Sequence, residues 1–192
     1  DVSFAAHPEW FGWREGTRRR VITRLAARRA ARILTTSEFS RAEITRRLGV
    51  PPARIDVIYP GVEVLGAARR DARDQALVLY VGSLFTRRHI PALVDGFAQL
   101  ARRRPDVRLE IVGDNRTTPF VDIDAVVRAS GAADRVAVRA YLPDEALAGL
   151  YRRARAFVFL SEYEGFGLPP LEALAAGVPI VVLDTPVARE VY

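Results

Sequence analysis

Two glutamates, Glu164 and Glu172, are separated by a glycine- and proline-rich stretch that is typical of an anion-binding turn. The glycines of Gly165–Leu168 free the backbone, and Pro169 and Pro170 suit the first turn of a helix, where a missing N–H costs nothing. Backbone N–H groups and the dipole at a helix start bind phosphate oxygens, and a carboxylate accepts two hydrogen bonds from a vicinal diol. A diphosphate flanked by two diol acceptors describes a nucleotide sugar.

Each glutamate also has a plainer interpretation. Glu172 falls within the first turn of the predicted helix, where a carboxylate can simply compensate the helix dipole, and Glu164 can be a solvated loop residue. A pair of carboxylates is also typical of glycosidases. The sequence argues against a glycosidase, because one carboxylate lies at a phosphate-binding helix start.

The elements that must position these residues alternate from Ala76 to the end of the chain. Apolar strands followed by helices predict an α/β fold with a parallel, doubly wound sheet. The predicted strands are Leu77–Val81, Arg108–Val112, Val136–Arg139, Ala156–Leu160 and Ile180–Leu183. The predicted helices are Ile90–Arg103, Ile123–Ser130, Asp144–Arg153 and Pro170–Ala176.

Loops after the strands are candidate binding segments, because ligands of open α/β sheets bind outside the carboxyl ends of the strands. Gly82 follows the first strand, and Arg87 and Arg88 come just before a helix, where they suit a diphosphate clamp or are merely surface arginines of a tight turn. Tyr141 and Leu142 follow the third strand. Either they form the wall of a base pocket, or Tyr141 is a buried aromatic residue of the loop and Leu142 is its neighbour.

The loop after the second strand carries Gly113, Asp114 and Asn115. These residues either contact a base or sugar, or form a glycine turn with a helix-capping aspartate. Asp122 and Asp124 spell a D-x-D pair, which we interpret as helix capping because it opens a predicted helix.

Composition excludes several classes of chemistry. All 29 basic residues are arginine, so Schiff-base chemistry and a Walker lysine are excluded. The absence of cysteine excludes disulfides and thiolate zinc sites, and two histidines make a histidine-rich metal site improbable. We therefore predict no metal and no cofactor. With 49% hydrophobic residues and neither a membrane span nor a signal peptide in view, the sequence predicts a cytoplasmic globular protein.

The first part of the chain predicts an arginine-rich helix over residues 17–32, with Val21, Ile22 and Leu25 on an apolar face. These apolar residues either contact the cytoplasmic surface of the inner membrane or cover the domain to which the helix belongs. A basic module that binds nucleic acid or anionic membrane through the Arg18–Arg32 helix is the alternative function. The lack of aromatic residues between Arg14 and Arg32 disfavours single-stranded nucleic acid.

Beyond this helix we predict a strand over Ile33–Thr36, a helix over Glu38–Leu48 and a strand over Arg54–Tyr59. Ser37 caps the helix and Gly49 ends it. Residues 62–75 gain charge and lose apolar periodicity, which predicts a linker between domains at 1–61 and 76–192.

The stretch EGFGLPPLEALAAGVPIV resembles the signature of the retaining glycosyltransferases of family four, which have the GT-B fold. TTSEFSRAEITRRLGVPPARIDVIYPGVE resembles the end of that family's N-terminal domain, and VGSLFTRRHIPALVDGF and LPDEALAGLYRRARAFVFLSEYEGFG resemble two of its further elements. The resemblance covers nearly the whole chain. It implies a Rossmann-like C-terminal donor domain preceded by the tail end of the N-terminal domain.

Carried over to this sequence, the resemblance implies that Glu172 holds the ribose hydroxyls and that Glu164 contacts the donor sugar as the catalytic residue. It implies that Gly165, Phe166, Gly167 and Leu168 support the diphosphate. Arg88 replaces the family's usual lysine there, with help from Arg87. The same donor site is expected to include Gly82, Tyr141 and Leu142.

The resemblance also implies transfer with retention from a nucleotide sugar to a glycan or lipid-linked acceptor, without a metal and without nucleic acid as partner. HPEWF resembles stretches of bacterial mannosyltransferases, which favours GDP-mannose. A histidine near the reacting sugar would lie immediately before Asp1, and His7 is a different position. His89 replaces a commoner asparagine or glycine of the family, and no role is assigned to it. We therefore expect a fragment that keeps a donor pocket and lacks full activity alone.

Overall fold

The computed structural model describes residues 1–62 and 76–192, so the predicted linker lies almost wholly outside the described residues. The chain forms two compact units. The first contains Asp1–Gly61, Glu162–Gly167 and Asp184–Tyr192. The second contains Val62–Ser161 and Leu168–Leu183. The domain limits at 61 and 76 stay predictions, and the chain changes unit at residue 168, inside the glycine- and proline-rich stretch.

The second unit is built on a parallel sheet of five strands, which confirms the predicted α/β fold. Its strands are β3 (Leu77–Val81), β4 (Arg108–Val112), β5 (Val136–Arg139), β6 (Ala156–Phe159) and β7 (Ile180–Val182). The strand order is β5-β4-β3-β6-β7, and every neighbouring pair is parallel. The order reverses between β3 and β6, and such a switch point is where doubly wound sheets bind ligands.

Helices connect these strands and cover the sheet. They are α4 (Ile90–Arg103), α5 (Ile123–Ala129), α6 (Asp144–Arg153) and α7 (Leu168–Ala175). The core contains the apolar residues of β3, β4 and β6, including the fully buried Leu79, Ile111 and Phe157. Burial on both faces explains why these strands have continuous apolar runs.

The first unit contains a two-stranded parallel sheet of β1 (Ile33–Thr35) and β2 (Ile55–Val57). Its helices are α1 (Ser3–Ala6), α2 (Trp13–Arg29), α3 (Glu38–Leu48) and α8 (Pro186–Val191). The Ser37 hydroxyl accepts from the Ser40 amide at 3.0 Å at the start of α3, and Gly49 ends the helix in the left-handed region at φ 70°. Both predicted caps are thus confirmed.

Helix α2 begins at Trp13 instead of residue 17, and its predicted apolar face is not its buried face. Gly16 and Ala27 are buried, whereas Ile22 is 58% exposed and Val21 and Leu25 are exposed as well. The alternative in which the apolar face covers its own domain is therefore wrong, because the buried positions of α2 are small residues, which allow close packing without contributing to an apolar pattern. Among the described residues, no helix is long and apolar enough to cross a membrane.

Candidate active site

Arg88 is buried at the carboxyl end of β3, although arginine pairs before a helix usually lie on the surface. Only 9% of it is exposed, its Nη1 donates to the Ser83 carbonyl at 2.9 Å, and its guanidinium lies 4.8 Å from the centre of the Phe159 ring. Gly82 has φ 134°, and a Cβ on it would lie 2.6 Å from Arg88 Nη1. The backbone angle favours glycine at this strand exit, because residues with a side chain rarely adopt it, and the missing side chain leaves room for the guanidinium.

Arg87 takes a different position from Arg88. Its guanidinium lies 4.2 Å from the centre of the Phe85 ring, in a cation–π contact. Both arginines belong to a 3₁₀ turn, Thr86–Arg88, and His89 follows it with φ 50°, a left-handed conformation that is uncommon for a residue with a side chain. The interpretation of both arginines as surface residues of a tight turn is thus wrong for Arg88.

The loop after β4 supports the loop after β3. Ser83 Oγ donates to Asp114 Oδ1 at 2.7 Å, and this bond, followed by the Arg116 guanidinium, holds the pKa of Asp114 below its usual range. Asn115 Nδ2 donates to the Val121 carbonyl at 2.8 Å. Asp114 is not a helix cap, because α5 begins at Ile123, and Asp122 caps it through the Ala125 amide at 2.9 Å. The capping interpretation of Asp122 is confirmed.

Glu172 is held by a buried tyrosine. Tyr151 is fully buried in the second unit, and its hydroxyl donates to Glu172 Oε2 at 2.7 Å. Burial raises the pKa of Tyr151, and the neighbouring carboxylate raises it further, so the phenol stays protonated and donates. Glu172 is the fifth residue of α7, one residue beyond the first turn predicted for it, because the helix begins at Leu168.

The loop that carries Glu164 groups with the first unit. Glu164 is buried, with 9% exposed. The carbonyl of Gly165 accepts from Ser37 Oγ at 2.6 Å and from Ser40 Oγ at 3.0 Å. Tyr192 Oη donates to the carbonyls of Phe166 at 3.2 Å and Gly167 at 2.9 Å. The loop is therefore fixed through its carbonyl groups.

The predicted site residues divide between the units. Gly82, Arg88 and Glu172 lie in the second unit, as do Arg87, Tyr141, Leu142 and Leu168; Glu164, Gly165, Phe166 and Gly167 lie in the first. Tyr141 is 76% exposed, so its interpretation as a buried loop aromatic is wrong, whereas Leu142 packs partly against the core. The assignment of these residues to donor binding stays a prediction.

Sequence reasoning missed the residues that support the two glutamates. Ser40 lies inside a helix, Tyr151 looks like an ordinary core aromatic, and Tyr192 lies far from the loop in sequence. Only the capping role of Ser37 had a local signal. Within the described ranges 1–62 and 76–192, no group of three or more acidic, histidine or cysteine side chains has a metal-binding arrangement.

Comparison with known proteins identifies the family. Residues 67–192 match the model of the Glycosyl transferases group 1, and residues 3–64 match that of Glycosyltransferase Family 4. The chain is 33% identical over 167 residues to the mannosylfructose-phosphate synthase of Agrobacterium fabrum, covering 78% of the chain and 37% of the relative. It is 30% identical over 166 residues to the GDP-mannose:cellobiosyl-diphosphopolyprenol alpha-mannosyltransferase of Xanthomonas campestris, covering 86% of the chain and 43% of the relative.

The crystal structure of Anabaena Alr3699/HepE in complex with UDP-glucose superimposes with a TM-score of 0.78 at 22% identity, over 97% of this chain and 53% of that one. The chain thus spans about half the length, or less, of the proteins it matches. The residues that the two family models match include the glycine- and proline-rich segment, both glutamates and the residues that support each of them. The chain belongs to the group 1 glycosyltransferases of family four and has their GT-B type of α/β fold.

Proposed function

We propose that this chain binds the nucleotide diphosphate sugar of a hexosyltransferase. The observation that carries the proposal is the buried guanidinium of Arg88 beside Gly82, at the point where the strand order of the sheet reverses. A guanidinium that is already desolvated and oriented offers paired N–H donors to a diphosphate. In the same unit, Glu172 is oriented by Tyr151 and accepts the ribose hydroxyls.

The finer assignments are part of the proposal. Glu164 contacts the donor sugar, and the turn Gly165–Leu168 supports the diphosphate. Transfer proceeds with retention to a glycan or lipid-linked acceptor, and the donor needs no metal ion. The similarity to the GDP-mannose-dependent mannosyltransferase of Xanthomonas campestris, together with HPEWF, favours GDP-mannose as donor.

Calorimetry on the full-length protein that carries this chain tests donor binding. GDP-mannose, UDP-glucose, GDP and UDP are titrated into the wild type, Arg88→Ala and the control Arg103→Ala, whose arginine is exposed near the end of α4. We expect one nucleotide series to bind the wild type and the control alike, and to bind Arg88→Ala at least about tenfold more weakly. Failure of all four compounds to bind the wild type would contradict the proposal.

We further propose that α2 contacts an anionic membrane surface. Val21, Ile22 and Leu25 are exposed on this helix, and its exposed arginines include Arg18 and Arg24. Exposed apolar side chains among arginines suit the boundary between lipid head groups and acyl chains. The positive charge of these arginines complements the negative charge of an anionic bilayer, and this favours a bilayer over a protein as the partner of α2.

Vesicle flotation separates this role from nucleic-acid binding. The full-length protein should float with vesicles containing phosphatidylglycerol and not with pure phosphatidylcholine vesicles. Ile22→Ser should weaken flotation, while Val181→Ser, a matched change at an exposed apolar residue of the second unit, should leave it unchanged. Salt-sensitive binding to random RNA without vesicle binding would instead support the basic nucleic-acid module.

A further inference from the structure

The carbonyl of Gly165 is surrounded by three hydroxyl groups from one short segment. Ser37 Oγ lies 2.6 Å from the oxygen, Ser40 Oγ 3.0 Å and Thr36 Oγ1 3.3 Å. This segment precedes Gly165 by more than a hundred residues in the sequence. We propose that Ser37 and Ser40 are positioning residues that place Glu164 for its contact with the donor sugar; this inference rests on the function proposed above.

Burial makes these two hydrogen bonds difficult to replace. Ser37 is fully buried and Ser40 is 2% exposed, so neither hydroxyl can donate to bulk water. Ser37 Oγ already accepts from the Ser40 amide, which leaves its single proton for the Gly165 carbonyl. The start of α3 is therefore a rigid donor pair, and the loop carbonyl is its acceptor.

The fit between the loop and α3 is close. A Cβ on Gly165 would lie 3.3 Å from Ser40 Oγ and 2.9 Å from Asp1 Cβ. The second of these distances is shorter than nonbonded carbon atoms adopt, so a side chain at residue 165 would force the loop or its neighbours to shift. The glycine of the motif thus has a packing role in addition to any approach to phosphate.

Neighbouring residues fix the loop on either side of Glu164. Tyr163 is buried, its ring lies 5.4 Å from that of Phe39, and its hydroxyl is 3.3 Å from Glu43 Oε2. Burial raises the pKa of Tyr163, followed by the effect of the Glu43 carboxylate, so the phenol is protonated and donates. With residues 163 and 165 both held, the backbone of Glu164 has little freedom to move.

This arrangement predicts which step of the reaction suffers when a hydroxyl is removed. A shifted Glu164 would meet the sugar in the wrong place, and small misplacements reduce turnover strongly. Affinity for the nucleotide moiety should fall much less than turnover, because Arg88 and Glu172 lie in the other unit and only the support from the turn Gly165–Leu168 is disturbed. A variant that merely loses stability would show no such selectivity.

The test uses Ser40→Ala in the full-length protein. Alanine suits a helix interior and removes only the hydroxyl. Ser130→Ala is the matched control, since Ser130 Oγ donates to the Val127 carbonyl at 2.8 Å in the second unit. We measure release of sugar from GDP-mannose and UDP-glucose in water, together with the Kd of GDP and UDP by calorimetry.

For Ser40→Ala, kcat for sugar release should fall on the order of tenfold or more, whereas the Kd for the nucleoside diphosphate should rise no more than about twofold. Ser130→Ala should match the wild type in both. Ser37→Asp is a second test variant. Aspartate still accepts a hydrogen bond at the helix cap, but an ionised carboxylate cannot donate one to the Gly165 carbonyl, so the kcat of this variant should fall in the same way.

The outcomes separate this inference from the function on which it rests. If the wild type binds none of the four nucleotides, the proposed function fails. If the wild type binds and releases sugar while Ser40→Ala and Ser37→Asp keep its kcat, the positioning inference is overturned and the proposed function stands. A Kd that rises in parallel with the fall in kcat would also overturn positioning, since it indicates general destabilisation.

Discussion

The loop 162–167 and helix α7 follow each other directly in the sequence, yet the protein holds their glutamates in different ways. In the loop, distant hydroxyls of Ser37, Ser40 and Tyr192 bind backbone carbonyls, and Glu164 is placed through its backbone. In α7, the Tyr151 hydroxyl binds the side chain of Glu172 itself. Two neighbouring candidate site residues thus depend on separate parts of the fold, so changing the support of one should leave the other in place.

The largest effects are expected from the glutamates themselves. Glu164→Gln should reduce sugar release by about 10²–10³-fold through loss of a charge at the reacting sugar, with unchanged affinity for nucleoside diphosphate. Glu172→Gln should instead weaken that affinity about tenfold, because a hydrogen bond to a charged acceptor is lost. Kinetics and calorimetry on both variants check this. Equal effects of the two substitutions on sugar release and on affinity would contradict separate roles for Glu164 and Glu172. Glu145→Gln, at an exposed position, is the control.

Changing the support of Glu172 should have an intermediate effect. Tyr151→Phe leaves a carboxylate without its buried donor, and we expect a loss of roughly 1.5–3 kcal/mol in the free energy of unfolding. Affinity for the nucleoside diphosphate should fall several-fold. Tyr192→Phe removes a hydroxyl from the loop side and should lower kcat more than it lowers that affinity. Denaturant unfolding and calorimetry compare the two, and a nucleotide affinity that falls only in Tyr192→Phe would contradict the assignment.

A smaller, pH-dependent effect is expected at α8. Burial opposes ionisation of Glu190, but the amides of Phe39 and Glu38 and the Tyr59 hydroxyl donate to it, so its pKa is lowered. Because the pKa of Glu190 is lower in the folded than in the unfolded state, its ionisation stabilises the folded protein at pH values above the ordinary carboxyl pKa of about 4.3. This stabilisation is lost as the pH falls through the pKa of Glu190 in the folded protein.

Glu190→Gln should therefore lower the free energy of unfolding by roughly 0.5–1.5 kcal/mol at pH 7, and the gap to the wild type should close towards pH 3. Urea unfolding of both proteins between these pH values measures the gap. A constant gap would show that the charge of Glu190 does not support the start of α3.

The smallest effect is expected from chelation. Because Arg88 supplies positive charge at the proposed diphosphate site, EDTA should leave sugar release by the wild type unchanged. A parallel assay of Arg88→Ala with and without added Mg²⁺ serves as the comparison. A loss of wild-type activity that Mg²⁺ restores would contradict the prediction that no metal is needed.

Much of the fold followed from local patterns, while the surroundings of the glutamates did not. The bounds of α3, β3, α4 and α6 agree with the predicted ones, because α3 has a cap and a glycine stop, β3 is a short apolar run, and α4 and α6 have a clear apolar period. Several other ends moved by one or two residues, and α1 and α8 were missed because four and six residues carry too little periodicity.

The site was predicted in part, for a physical reason that differs from residue to residue. Arg88 was identified from its place after a strand, but its burial against Phe159 depends on a β3–β6 pairing that the sequence does not encode locally. The apolar stripe of Val21, Ile22 and Leu25 was predicted with two alternatives, exposed or covering its own domain, because helical periodicity identifies a stripe and does not say what covers it; the structure shows it exposed.

By itself, the sequence determined the parallel α/β class, the caps of α3 and the motif that carries Glu164 and Glu172, since each depends on residues a few positions apart. Only the tertiary structure decided that the loop 162–167 groups with Ser37 and Ser40, and that Tyr151 donates to Glu172. These contacts join residues between about 20 and 130 positions apart, whose meeting depends on strand order and on chain crossings between units. No short-range pattern of residue types predicts contacts between residues so far apart in the sequence.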